Sequence, residues 1–182
     1  MKSREESLCI LKSKVKTPNL IKHMLAVEAI MRGLAKRFNE DEELWGISGL
    51  MHDIDIDEYG KDPTQHGKVG AQWLKELGYE DSIVNAVLAH AGHKEPLNRL
   101  ETALFASDPL SGLIISAALI HPTKKLASID TQFVLNRFSE KRFAAGARRE
   151  DIKRCEEIGL NLQEFVTIAL EAMKGISNEL GL

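Results

Sequence analysis

Six side chains in this 182-residue chain have the types and settings that suit the binding of metal ions: His23, His52, Asp53, His66, His90 and Asp108. Each polar group sits where an apolar one is expected. His23 shares a stripe with Val27, Ile30 and Leu34, and His66 precedes Val69, Trp73 and Leu77 at helical spacing. His90 follows Ile83, Ala86 and Val87 on one face, and Asp108 follows Leu104 and Phe105. His52-Asp53 closes the apolar segment Trp45 to Met51. On amphipathic helices such positions point inward. A buried, unpaired carboxylate is costly and must be neutralised, hydrogen-bonded or bound to a cation. Imidazole with carboxylate suits one or two divalent transition metal ions, Fe, Mn, Ni or Zn, and the lack of thiolates argues against a structural zinc site. A lone inward histidine is ordinarily a hydrogen-bonded core residue, so the reading rests on the set. Asp55 and Asp57 lie in a polar stretch and read as solvated loop acids.

The elements that must carry these groups are helical, because no period-two pattern is sustained. The expected helices are Arg4 to Val15; Leu20 to Phe38, capped by Asn19; Glu40 to Asp53; Pro63 to about Leu77; and Asp81 or Ser82 to near Gly92. An apolar segment runs from Arg99 to Ile120, with a break or kink expected just after Asp108, where Pro109 interrupts it. Shorter helices follow Asp130, the last starting at Asn161 with Glu164 in capping-box position. A mid-helix His-Asp pair cannot share one narrow face, but at a helix end both can turn toward one ion. Without repeats or linkers, the chain reads as one all-α domain: a core of about residues 18–122 and a helical extension over 123–182.

Bulk properties narrow the function further. Apolar residues make up 43%, charged residues 28%, and the net charge is −3. That balance belongs to a globular protein and does not suggest binding to a nucleic-acid duplex, whereas a small anionic substrate remains compatible. Cys9 and Cys155 form no CxxC and read as reduced thiols. The charged N-terminus lacks a secretory pattern, and the apolar run Leu113 to Ile120 is too short to span a bilayer. A cytoplasmic protein without membrane contact is expected, and a homodimer is compatible with this composition. For such an anionic substrate, Lys61, Lys68, His93, Lys94 and Lys124 are candidate gripping cations at the mouth of the site, with Lys61, His93 and Lys124 taken as substrate-binding; Lys141-Arg142 and Arg148-Arg149 read as solvated.

The order His23, His52-Asp53, Asp108 resembles the H…HD…D signature of the HD superfamily of metal-dependent phosphohydrolases, over roughly residues 20–120. The segment Ile47-Ser48-Gly49-Leu50-Met51-His52-Asp53 resembles the family's AxxGL-type lead into HD, and His66 and His90 resemble the extra histidines of its dinuclear, HDIG-type branch. Asp55 stands where that motif has glycine. The resemblance implies an all-α bundle with a central site. It also implies a first metal on His23, His52, Asp53 and Asp108, and a second on His66 and His90 with Asp53 bridging. The implied activity is hydrolysis of a small phosphate ester or anhydride, with a nucleotide as the expected substrate, through attack by metal-bound hydroxide. Two alternatives share this ligand set: a mixed-valent di-iron oxygenase of the same fold, and a non-catalytic metal- or nucleotide-binding domain.

Overall fold

The computed structural model describes residues 2–182, and helices are its regular structure, with no strand among the described residues. The order is α1 (Arg4–Lys14), α2 (Pro18–Phe38), α3 (Glu42–Met51), α4 (Ile56–Tyr59), α5 (Lys68–Glu76), α6 (Asp81–His90), α7 (Arg99–Ile120), α8 (Thr131–Ser139), α9 (Arg149–Lys153), α10 (Leu162–Lys174) and α11 (Ser177–Leu180), with 3-10 turns at Leu126–Ser128 and Arg154–Ile158.

Local chemistry explains several boundaries. Ser3 and Glu6 form a reciprocal capping box on α1, Asp41 caps α3 through the amides of Glu43 and Leu44, and Asn161 caps α10 through the amide of Glu164. α2 starts two residues earlier than expected. Thr17 is its N-cap and Pro18, with its preset φ, occupies the first turn, so Asn19 lies inside the helix. The hydroxyl of Thr17 serves elsewhere: it donates to Asp57 Oδ1 at 2.7 Å, tying the α1–α2 link to α4. α5 begins at Lys68, not Pro63, because Asp62 holds the amide and hydroxyl of Thr64 in a turn and Gly67 has φ +79°. A side chain at Gly67 would also collide with Ala91.

α7 is the largest departure from expectation. It runs unbroken through Pro109. The proline forfeits one helical hydrogen bond and costs about 3 kcal/mol in an isolated helix. Here Leu100, Ala103, Leu104, Ala106, Leu110, Leu113, Ile114, Ala117 and Ala118 are buried around it, and that packing outweighs the loss. By length and apolarity α7 could cross a bilayer, yet over half of its most apolar stretch is buried inside the bundle. The last helix is α11, which follows α10.

α2 lies against α3, α7 and α10, while α6 bridges α5 and α7. Gly49 permits a close approach of α3 to α2: a Cβ there would stand 2.8 Å from the carbonyl oxygen of Val27 and 2.9 Å from the amide of Glu28. This brings the end of α3, which carries His52-Asp53, against His23 on α2. Phe165, Val166, Ala169, Leu170 and Met173 of α10 are buried in the same hydrophobic cluster as α2 and α7.

Candidate metal centre

α3 stops at Met51, and His52 follows as its C-cap with φ −58° and ψ −34°. The chain then leaves in turns, so His52 and Asp53 face one centre. His23 comes to it from α2, His66 from the turn before α5, His90 from the last residue of α6 and Asp108 from the middle of α7. His52 is fully buried, and the His90 side chain is 2% exposed.

The nitrogen contacts divide by atom. Every Nδ1 of the four histidines is anchored to the scaffold: His52 to the Gly49 carbonyl at 2.7 Å, His90 to the Val87 carbonyl at 2.7 Å, His66 to Asp55 Oδ1 at 2.8 Å and His23 to Ser111 Oγ at 3.0 Å. Ser111 donates its own proton to the Asp108 carbonyl at 2.9 Å, so toward His23 it accepts. The Nδ1 atoms therefore carry protons and the Nε2 atoms project inward. His23 Nε2 and His52 Nε2 stand 3.2 Å apart. His23 Nε2 is 3.1 Å from Asp108 Oδ1. Asp53 splits its oxygens: Oδ2 lies 3.7 Å from His23 Nε2 and 3.5 Å from His52 Nε2, while Oδ1 lies 3.3 Å from His66 Nε2 and 3.1 Å from His90 Nε2. Ligand atoms of His23, His52 and Asp108 fall within 4.8 Å of one another, as do those of His52, Asp53 and His90.

Lone pairs gathered this tightly must be reconciled by protons or by cations. The proton affinities show the competition. Burial raises the carboxyl of Asp53, but the charge of His52 and the hydrogen bonds of His66 and His90 outweigh it and hold it well below the usual carboxylate range. Burial likewise raises Asp108, and its bond to His23 brings it below the ordinary value. His66 is lifted to about 10 by Asp53 and Asp55. Burial depresses His23 and His90, and their carboxylate partners Asp108 and Asp53 reverse this, leaving both raised. His52, enclosed and without such a bond, drops to about 4, chiefly through burial, so it stays a neutral donor. Four Nε2 atoms that become neutral donors once a cation displaces their protons, with two ionised carboxylates, form a set suited to divalent transition metals. The donor chemistry fits: His23, His52, Asp108 and Asp53 Oδ2 could hold one ion, and His66, His90 and Asp53 Oδ1 a second.

The structure corrects several expectations. Asp55 is not a solvated loop acid: it is 1% exposed, and besides His66 it accepts from the amides of Gly67 at 2.8 Å and Gly70 at 2.7 Å. Ser111 was missed as well; its place one turn beyond Asp108 was the available signal. Asp57 is exposed as expected, yet caps the α1–α2 link. His93 does not reach into the mouth, because its Nε2 donates to the His66 carbonyl at 2.6 Å and so supports that turn. Lys94 is drawn away to the buried Glu101 at 2.8 Å. Lys124 follows the far end of α7, where the twelve residues between Asp108 and Ile120 rise about 18 Å along the helix, so it does not flank the centre. Lys61 and Lys68 are exposed on either side of His66.

A cavity of about 350 Å³ opens against His23 and Asp108, walled by Pro109, Gly112, Ser116 and the 144–147 loop. The Asp108 side chain is 34% exposed and forms the border between centre and cavity.

A helical bundle with a His-Asp pair at one helix end, joined by a distant histidine and aspartate, is the architecture of the HD domain. The chain belongs to the HD domain family, whose model matches residues 20–121. Its curated relatives include ribonuclease Y of Sulfurovum sp. (strain NBC37-1), 31% identical over 140 residues, which cover 72% of this chain and 26% of that protein. Ribonuclease Y of Aliarcobacter butzleri is 36% identical over 93 residues, covering 51% and 18%. Ribonuclease Y of Nitratiruptor sp. is 28% identical over 165 residues, covering 87% and 31%. The chain thus spans less than a third of the length of these relatives, 18% to 31%. No solved structure gives a match.

Proposed function

We propose that the chain is a metal-dependent phosphohydrolase that cleaves a phosphate ester or anhydride of the nucleotide class, acting in the cytoplasm on a small phosphorylated substrate. One observation carries this reading: four imidazoles, each anchored at Nδ1, aim Nε2 at two ionised carboxylates, and that centre borders a cavity large enough for a nucleotide-sized ligand. The relatives' name, ribonuclease Y, supports a phosphoester as the target bond.

His23, His52, Asp53 and Asp108 would hold one divalent ion, and His66, His90 and Asp53 the other. When bound, such ions bring the pKa of coordinated water toward neutrality and offset charge growing on the phosphoryl oxygens. The rest falls to the chain. The anchored Nδ1 protons make Nε2 the atom that each ring offers to an ion, with His66 first giving up its second proton, and fix the ring planes. Asp55 keeps the proton of His66 at Nδ1. Asp108 presents its carboxylate at the cavity wall, so the phosphoryl group approaches from that side. Pro109, Gly112 and Ala144 supply small walls around it. Ser111 is held between the His23 ring and the Asp108 carbonyl, which makes it an orienting group and not a nucleophile.

The test is elemental analysis of the purified chain, followed by product release with the metal found: phosphate from nucleoside monophosphates, and nucleoside or nucleotide from dinucleotides and short oligonucleotides. Turnover that disappears in His52→Ala together with the metal supports the reading. No release with Mn, Fe, Ni or Zn, alongside oxygen uptake by the iron-loaded chain, replaces it with oxygen-activating chemistry.

A further inference from the structure

The segment after α8 builds a second cavity, of about 530 Å³, beside the first. Ala145 and Ala147 line both, so the two spaces adjoin across the 144–147 loop. Their electrostatics differ. The first holds the acidic edge of the metal centre; the second is lined by Lys141, Arg148, Arg149 and Lys153, with Glu150 as the acidic group among its walls. That is a local positive surplus on a chain of net charge −3.

The cations are available to different degrees. Arg149 is committed by its hydrogen bonds but not neutralised by them. Its guanidinium donates to the carbonyls of Phe138, Ala144, Ala147, Arg137, Glu140 and Phe143, at 2.6 to 3.3 Å, and to no carboxylate. Burial lowers its pKa and the nearby charge of Glu150 offsets this only in part. The staple also fixes the loop between the cavities, holding Ala144 at φ +44°, so the connection is a built surface. Arg148 is 70% exposed and pairs with the partly buried Asp151 at 3.3 Å, leaving most of its guanidinium open to a phosphate. Lys141 and Lys153 are exposed. α9 packs on α7, and the charge of Asp108 is felt at Asp151, which places this basic wall next to the centre.

We infer that the basic cavity is a subsite for a second phosphate group of the substrate, so that the chain favours substrates carrying a further phosphate beyond the scissile one over nucleoside monophosphates. The inference rests on the proposed phosphohydrolase reading for where the scissile phosphate sits. The shared chemistry is a second phosphate, supplied by the next phosphodiester of a short oligonucleotide or by a polyphosphate chain. Such a subsite adds binding energy remote from the reacting bond, and its binding should weaken with salt as counterions compete.

The test separates the subsite from the chemistry. Binding of fluorescein-labelled pentauridylate to the full chain, stripped of metal by chelation, is followed by anisotropy across a salt series. The variant Lys141→Gln/Arg148→Gln/Lys153→Gln is expected to bind at least tenfold more weakly and with a shallower salt slope. Arg142→Gln, an exposed cation of the same segment outside the cavity, is expected to stay within twofold. The single variants Lys141→Gln and Lys153→Gln, each checked for an unchanged melting curve, are expected to give part of the loss should the triple variant fold poorly. Competition assigns the source: displacement of the probe by inorganic tripolyphosphate favours a polyphosphate, and displacement only by unlabelled pentauridylate favours the phosphodiester chain. With metal restored, the ratio of kcat/KM for uridylyl-uridine monophosphate over uridine monophosphate is expected to fall at least tenfold in the triple variant. Equal losses in Arg142→Gln, no loss in the triple variant, or no binding by the unaltered chain overturns the subsite. Binding that depends on these cations, without hydrolysis of either uridylyl-uridine monophosphate or uridine monophosphate under any metal, overturns the phosphohydrolase reading and leaves the subsite standing.

Discussion

Replacing Asp55 by alanine should damage both the fold and the metal centre, by amounts that follow from three hydrogen bonds. The carboxylate is 1% exposed and accepts from Gly67 N, Gly70 N and His66 Nδ1 at 2.7 to 2.8 Å. Alanine leaves two buried amides and one imidazole N–H without an acceptor. A buried donor left unpaired costs roughly 1–3 kcal/mol, so the two amides alone account for about 2–6 kcal/mol, with the lower half expected if water enters the space vacated. For a chain of this size each kcal/mol moves Tm by about 2–4 °C, so a loss near 3 kcal/mol is a drop of about 6–12 °C. The same drop is expected in chelator-treated protein, because these bonds need no metal. His66 also loses the carboxylate that fixes its ring, and removing such a partner typically weakens metal affinity by about 10–100-fold. Calorimetric melting with and without chelator, together with metal stoichiometry under competition, reads both effects. Asp55→Asn keeps the shape and one acceptor oxygen and should recover part of the stability. A Tm within 2 °C of the unaltered chain and unchanged stoichiometry in Asp55→Ala would refute the reasoning.

Three further outcomes follow from the geometry. With His66 raised to about 10 by Asp53 and Asp55, the imidazole is protonated at pH 7 in the absence of a competing cation, and Nε2 must lose that proton to bind one. Metal uptake at pH 7 should therefore release about one proton or more per chain, and affinity should rise with pH until it passes about 10; calorimetry in buffers of different ionisation enthalpy measures this, and zero release contradicts it. Gly49→Val should force α3 off α2, since even a Cβ would stand 2.8 Å from the Val27 carbonyl oxygen; a cost of about 1–3 kcal/mol is expected from thermal melting, together with weaker metal retention as the carbonyl holding His52 shifts. Arg149→Met should free six carbonyls, so amides of residues 138–147 should exchange hydrogen faster while those of α2 and α7 keep their protection.

Much of the centre could be read from local pattern, because a histidine or aspartate on an apolar helix stripe advertises inward placement through its own neighbours. That logic reached His23, His90 and Asp108, and the end of the α3 apolar run marked His52 and Asp53. It failed at Asp55. Flanked by Ile54, Ile56 and Asp57, this residue looks like part of a polar turn; it is buried because the amides of Gly67 and Gly70, distant in sequence, arrive to meet it. The same reasoning failed at His93 and Lys94, whose partners are a backbone carbonyl and a buried glutamate brought in by other elements. Pro109 misled in the opposite direction, because a local rule predicted a break that burial overrode.

By itself, then, the amino-acid order determined the helical class, the family signature and the six metal-site candidates, since periodicity and residue type act over one or two turns. Only the tertiary structure decided which atom of each histidine faces the centre, how Asp53 divides its oxygens, and that residues 141–153 build a basic wall beside Asp108. His52 and His90 are anchored by carbonyls three residues back, but the other outcomes depend on contacts between segments further apart along the chain, and the energy of such a contact is absent from either segment alone.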